Sequence, residues 1–229
     1  MAVSEPHLRI DPPVASPRGI ALILHGGQER SHRPVRPWNV AALRMVPFAR
    51  RIAKVGDGQI VVARLRYLVR GWNGPARSPV ADAHWALDRL RDLFGDLPVT
   101  LVGHSMGGRT AIYAAGHPSV RSVVGLAPWI ESGDPFEQLH GREVLFVHGT
   151  ADRMTSHRAT ASFADRLTRH GVPVTLVQRP GEHHAMLRNV DVWHDLAAAF
   201  TGRSLLGGLL PSAPLDDSAT EGSTEGAAS

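Results

Sequence analysis

The stretch Leu101-Val102-Gly103-His104-Ser105-Met106-Gly107-Gly108 constrains the fold more than any other part of the chain. The apolar run Pro98–Val102 that leads into it reads as a short buried strand. The run that leaves it, Arg109–Gly116, is rich in alanine and bulky apolar residues and reads as a helix. Between them lies a G-x-S-x-G turn, a spacing with a steric cause. Gly103 and Gly107 stand where strand and helix approach too closely for a Cβ, and Ser105 sits at the apex of a strained turn that lifts its hydroxyl clear of the sheet. The same turn points the backbone N–H of Met106 and the helix N-terminus at one spot beside the serine, where negative charge would be stabilised.

The remainder of the chain supplies the scaffold such a turn needs. His7–Asp11 reads as an edge strand, and Gly19–His25 as a strand apolar along its whole length, as in a sheet covered on both faces. Further strands are expected at Gln59–Tyr67, Arg121–Ala127, Glu143–Val147 and Val172–Gln178. Helical spacing predicts helices over Val40–Lys54, from a Ser78 cap to Phe94, over Ser156–His170 and over Asn189–Thr201. Strands alternating with helices predict a three-layer α/β fold, a mostly parallel central sheet with helices on both faces. The polar stretch between Ile130 and Glu143 is too short for an inserted lid domain, so none is expected.

The 229 residues fit one α/β domain, assigned to 1–202. Residues 203–229 change to Gly, Ser, Ala, Pro, Thr and acid, and read as a disordered, low-complexity tail. Residues 204–229 hold four acids and no base, so the formal +4 of the whole chain conceals a more basic body. Lys54 is the one lysine, and the arginines are scattered rather than clustered, which reads as a solvated surface and not a nucleic-acid stripe. No apolar run approaches the roughly 20 residues of a membrane helix, and Met1–Pro13 lacks a signal-type apolar core, so a cytoplasmic protein with no membrane partner is expected. With no cysteine, thiolate catalysis and cysteine metal sites are excluded. The thirteen histidines show no H-E-x-x-H or H-x-x-E-H spacing, so neither metal nor cofactor is expected.

In a parallel sheet the loops that follow the strands share one edge. Ser105, Asp152 and His184 each follow a strand there, in the order Ser…Asp…His. A serine hydroxyl needs an imidazole to take its proton, and the imidazole needs a carboxylate to fix its tautomer. His183 is the alternative base, and Glu131 and Asp134 are alternative acids. The early strand ends in His25-Gly26-Gly27-Gln28, small residues whose backbone N–H groups can approach a substrate; Gly27, or else Gln28, would give a second donor beside Met106, with His25 bracing the loop. Trp38, Trp72 and Trp129 fall in loops at this edge, where with Gln28 they either wall the site or pack the loops onto the body. Arg30, Arg33 and Arg70 lie in the same loops and read mainly as solvated surface.

Together, His25-Gly26-Gly27, Gly103-His104-Ser105-Met106-Gly107-Gly108, His148-Gly149-x-x-Asp152 and Gly181-x-x-His184-Ala185-Met186-Leu187 make the chain resemble the small lidless α/β-hydrolases of actinobacterial type, similar to serine esterases and to the dienelactone-hydrolase-like group. Dienelactone hydrolases proper use a cysteine nucleophile, and its absence points away from their substrate toward ordinary esters. The resemblance implies a serine hydrolase that cleaves carboxylic esters of a small molecule through an acyl-enzyme, acting as a monomer or homodimer. A thioesterase, lactonase or acyltransferase with the same triad is the alternative, followed by a non-catalytic binding member of the fold.

Overall fold

The computed structural model describes residues 5–11 and 16–207. Seven strands form one sheet: β1 (His7–Ile10), β2 (Gly19–Leu24), β3 (Ile60–Arg66), β4 (Val99–His104), β5 (Val120–Leu126), β6 (Glu143–Gly149) and β7 (Val174–Arg179). Their spatial order is β1-β3-β2-β4-β5-β6-β7, and every pairing is parallel except that of β1 with β3. The helices are α1 (Val40–Arg44), α2 (Val46–Gly56), α3 (Ser78–Phe94), α4 (Met106–Ala114), α5 (His157–Arg169) and α6 (Val190–Leu206). Among the described residues no helix is long and apolar enough to cross a membrane.

The period-two geometry of a strand divides the apolar residues between two layers. Ile20, Leu22 and Leu24 of β2 join Leu101, Val123 and Phe146 in a core that packs on α3, α4 and α5. Ala21 and Ile23 join Val62, Val102 and Val124 in a second core against α2 and α6, centred on Phe48 and Trp193. Both faces are thereby covered, which is why the central strands read as continuous apolar runs. Residues 127–142, between β5 and β6, hold one short 3₁₀ turn, Glu137–Leu139, and no inserted helical layer.

Three local expectations are corrected. The helix expected over Val40–Lys54 is two helices that meet at Met45. Pro47 has no N–H to give the Leu43 carbonyl, so the first helix ends there, while the Asn39 side chain caps its start by accepting from the N–H groups of Ala41 and Ala42. Ser78 does not cap α3 but is its first residue: Arg77, in a left-handed conformation, holds the cap position, and the Ser78 hydroxyl accepts from Asn73 Nδ2 at 3.1 Å. The closing helix runs on past Thr201 to Leu206, with Leu205 packed against Gly19 and Ser204 Oγ hydrogen-bonded to Ser122 at 2.9 Å. Residues 203–206, read as the start of the tail, are therefore helix; from residue 208 the expected tail lies outside the described residues.

Candidate active site

The turn between β4 and α4 has the geometry its glycines imply. Ser105 adopts φ +55°, ψ −119°, a region costly for any residue with a Cβ. Packing and hydrogen bonding impose it. The Ser105 N–H donates to the Leu126 carbonyl at 3.0 Å, and its own carbonyl accepts from Gly108, Arg109 and Trp129 N–H groups at 3.0, 3.2 and 3.1 Å. A Cβ on Gly103 would overlap the Gly107 carbonyl, and one on Gly107 the Leu24 carbonyl. The half-buried serine is left at the sheet's carboxyl edge.

The loops after β6 and β7 bring Asp152 and His184 together. His184 Nδ1 lies 2.8 Å from Asp152 Oδ2. His183, the alternative base, is exposed and donates from Nδ1 to the Ala151 carbonyl at 3.0 Å. Glu131 and Asp134, the alternative acids, are both engaged by Arg109. The Asp152 side chain is inaccessible to solvent. Burial pushes its carboxyl pKa up, but hydrogen bonds from His148 and His184 and from the Thr155 and Met154 N–H groups outweigh this and hold it well below the usual carboxylate range. It is an anion at neutral pH. The His184 ring bonds to Asp152 and Thr155 and not to the Ser105 hydroxyl, a separation that substrate commonly closes in such sites.

Two further histidines brace the site in neutral form. Burial lowers the His104 pKa to about 3; its Nε2 donates to the His184 carbonyl at 3.0 Å, and the two rings stand 4.7 Å apart. Burial likewise takes His25 down to about 4. The His25 ring bridges the Gly26 carbonyl (2.6 Å from Nδ1) and the Tyr67 N–H (3.3 Å from Nε2), tying the glycine loop to the end of β3.

That loop packs directly on the turn. A Cβ on Gly27 would overlap Met106 Cε and the Arg70 carbonyl. The Gln28 N–H is given to the Arg70 carbonyl at 2.9 Å, while no backbone acceptor among the described residues takes the Gly27 N–H. A cavity of about 270 Å³ opens beside the loop, lined by Gly26, Gly27, Gln28, Val35, Asn39 and Arg70 among others.

The tryptophans divide. Trp72 does not wall the site: it is 4% exposed and part of the core. Its ring and that of Trp129 each lie 4.5 Å from the Arg109 guanidinium, which also bonds Asp134 and Glu131 at 2.6 Å. This cation–π clamp ties the loops after β3 and β5 to the α4 helix behind the serine. Trp129 is half-buried in it, and its N–H bonds to Ser105. Trp38 is 69% exposed, with Arg36 6.0 Å from its ring, and contributes to neither clamp nor core. Arg109 and Thr155 carry no role in the sequence motifs, and His148 enters there only as part of His148-Gly149-x-x-Asp152. The available signals are spacing: Arg109 lies one helical turn beyond Ser105, the N-cap of α4, and His148 lies four residues before Asp152.

Among the described residues no cluster of three or more histidine, aspartate or glutamate side chains is placed to hold a metal ion.

The family described as alpha/beta hydrolase fold matches residues 27–180. No curated protein matches the chain in sequence. Among solved structures, a candidate alpha/beta hydrolase of unknown function from Agrobacterium tumefaciens superposes with a TM-score of 0.69 at 18% identity, covering 91% of this chain and 95% of its own. A serine hydrolase without a lid from Xanthomonas campestris gives 0.65 at 18% identity, with 90% of each chain covered. Est1E from Butyrivibrio proteoclasticus, solved with ferulic acid bound, gives 0.64 at 14% identity, covering 88% of this chain and 96% of its own. At these identities the structural likeness shows the fold alone. The chain belongs to the alpha/beta hydrolase fold family.

Proposed function

We propose that this alpha/beta hydrolase cleaves carboxylic esters through an acyl-enzyme formed on Ser105. The observation that carries the reading is the conjunction of a strained, half-buried Ser105 with an Asp152–His184 pair bonded at 2.8 Å on the neighbouring loops.

Asp152 accepts the Nδ1 proton of His184, which leaves Nε2 bare to act as base. His184 takes the Ser105 proton as Oγ attacks the ester carbonyl. The Gly27 and Met106 N–H groups stabilise the oxyanion, each donor supplying roughly 3 kcal/mol. His184 then protonates the departing alcohol. A water, deprotonated by the same ring, releases the acid and restores Ser105. The substrate would lie along the cavity beside Gly27 and Gln28. Among the described residues no inserted layer covers that edge, which leaves it open to small and bulky esters alike.

The test is steady-state hydrolysis of a panel of p-nitrophenyl esters of increasing chain length, with feruloyl esters, thioesters and lactones alongside, comparing wild type with Ser105→Ala. The reading expects ester turnover that falls by roughly 10⁴-fold or more in the variant. Equal turnover in a folded Ser105→Ala would contradict it.

A further inference from the structure

Asp152 is held by more groups than a triad acid requires, and they treat its two oxygens differently. Oδ1 is anchored by backbone, accepting from Met154 N–H at 2.7 Å and Thr155 N–H at 3.0 Å. On Oδ2 three side chains converge: His184 Nδ1 at 2.8 Å, the Thr155 hydroxyl at 2.9 Å and His148 Nε2 at 3.2 Å. The His148 side chain is inaccessible to solvent. Its other nitrogen, Nδ1, lies 2.8 Å from the hydroxyl of the buried Thr160.

We infer that His148 is a positioning residue for the triad, a second imidazole that fixes the working oxygen of Asp152 and takes up part of its charge. This rests on the Ser105 hydrolase reading. Beside a carboxylate oxygen Nε2 carries a proton, and Nδ1 is hydrogen-bonded to the Thr160 hydroxyl, which also lies 3.4 Å from the Ser156 carbonyl. His148 is thereby held as a donor to Asp152 by α5, on which Thr160 lies. Its N–H draws electron density from Oδ2 and weakens the pull of Asp152 on the His184 proton. The titratable groups facing this pair are few. His184 comes from the β7–α6 loop and His104, neutral, from β4, with Arg44 acting on it. His157 of α5 lies 6.4 Å from His148, ring to ring.

The test compares the pH dependence of kcat/KM in wild type, His148→Leu and His148→Gln. Leucine removes the donor, so the acid limb should move to higher pH by about half a unit or more, and kcat should fall with KM little changed. Glutamine sets an amide N–H near the Nε2 position and should restore the wild-type limb. A residue that merely fills space would lower the amount of folded enzyme and leave the limb where it is; that result, or an equal displacement in both variants, would overturn the inference. A measurement on the wild type covers the case in which neither variant folds. ¹⁵N-histidine spectra at neutral pH should show a proton on His148 Nε2, and an Nε2 without one would refute it. Labelling of wild-type Ser105 by a fluorophosphonate separates the two claims: without labelling the hydrolase reading itself fails, and with labelling but an unmoved limb only the role of His148 does.

Discussion

Replacing Gly27 by alanine tests the loop that faces the serine, and its size follows from the contacts. The new methyl would lie 2.6 Å from the Met106 sulfur and would overlap the Arg70 carbonyl. The thioether can swing aside, but the carbonyl is fixed by the Gln28 N–H it accepts, and the loop is further tied by the bond between Trp72 N–H and the Gln28 carbonyl. The backbone at Gly27 must therefore retreat by roughly 1 Å, a displacement that in a catalytic site costs on the order of 10²-fold. Loss of the donor altogether would cost about 10²–10³-fold in kcat, and the overpacking about 1–3 kcal/mol of stability. Gly26→Ala is the control. Its methyl would lie 3.4 Å from His104 Nδ1 and 3.5 Å from Ser105 Cβ, ordinary contact distances, so it should keep the wild-type Tm and most of kcat. The assay is kcat on a short p-nitrophenyl ester together with thermal unfolding. A folded Gly27→Ala enzyme with wild-type kcat would refute the assignment of Gly27 as a donor.

Two further outcomes follow from buried charge. Arg109→Met leaves the Asp134 carboxylate, whose side chain is 1% exposed, bonded by the Tyr113 hydroxyl and the Glu131 N–H but without its cation, and should lower unfolding stability by about 3 kcal/mol, read by urea titration; adding Asp134→Asn should recover part of that, and equal stability of all three proteins would contradict the clamp. Acidification should destabilise the fold through His25 and His104. Each has a folded pKa below its ordinary 6.5, to about 4 and about 3, so below pH 6.5 the unfolded chain takes up protons that the folded chain does not. Stability is then fully present above pH 6.5 and falls by about 1.4 kcal/mol per pH unit for each histidine, down to its folded pKa. Replacing His104 by Asn should remove one proton's worth of that slope, and an unchanged slope would contradict the neutral assignment.

The parts of the molecule legible in the sequence are those where backbone sterics dictate residue type. Gly103 and Gly107 sit against carbonyl groups that exclude a Cβ, and the uniformly apolar β2 reports a sheet covered on both faces. Where the outcome depends on which way a side chain turns, the sequence is silent. Trp72 and Trp129 occupy the expected loops, but Arg109 offers them a buried cation, so they close on it instead of lining a pocket. The motif His148-Gly149-x-x-Asp152 singles out Asp152 as the candidate acid, but the approach of the imidazole to Oδ2 depends on how the chain turns after β6. Single residues also mislead when one rule is weighed without its neighbour. Apolar spacing carried the predicted helix straight through Met45, while Pro47 ends it; Ser78 fits a cap, while Asn73 claims its hydroxyl.

The most direct measurement is intact mass of the protein after exposure to a fluorophosphonate, with the adduct mapped by peptide fragmentation. A single adduct on Ser105, formed in wild type, strongly slowed in His184→Ala and absent from Ser105→Ala, is the predicted result. A folded wild-type protein that takes no adduct, or one modified equally in Ser105→Ala, would contradict the claim that this turn, acid and base form a working nucleophile.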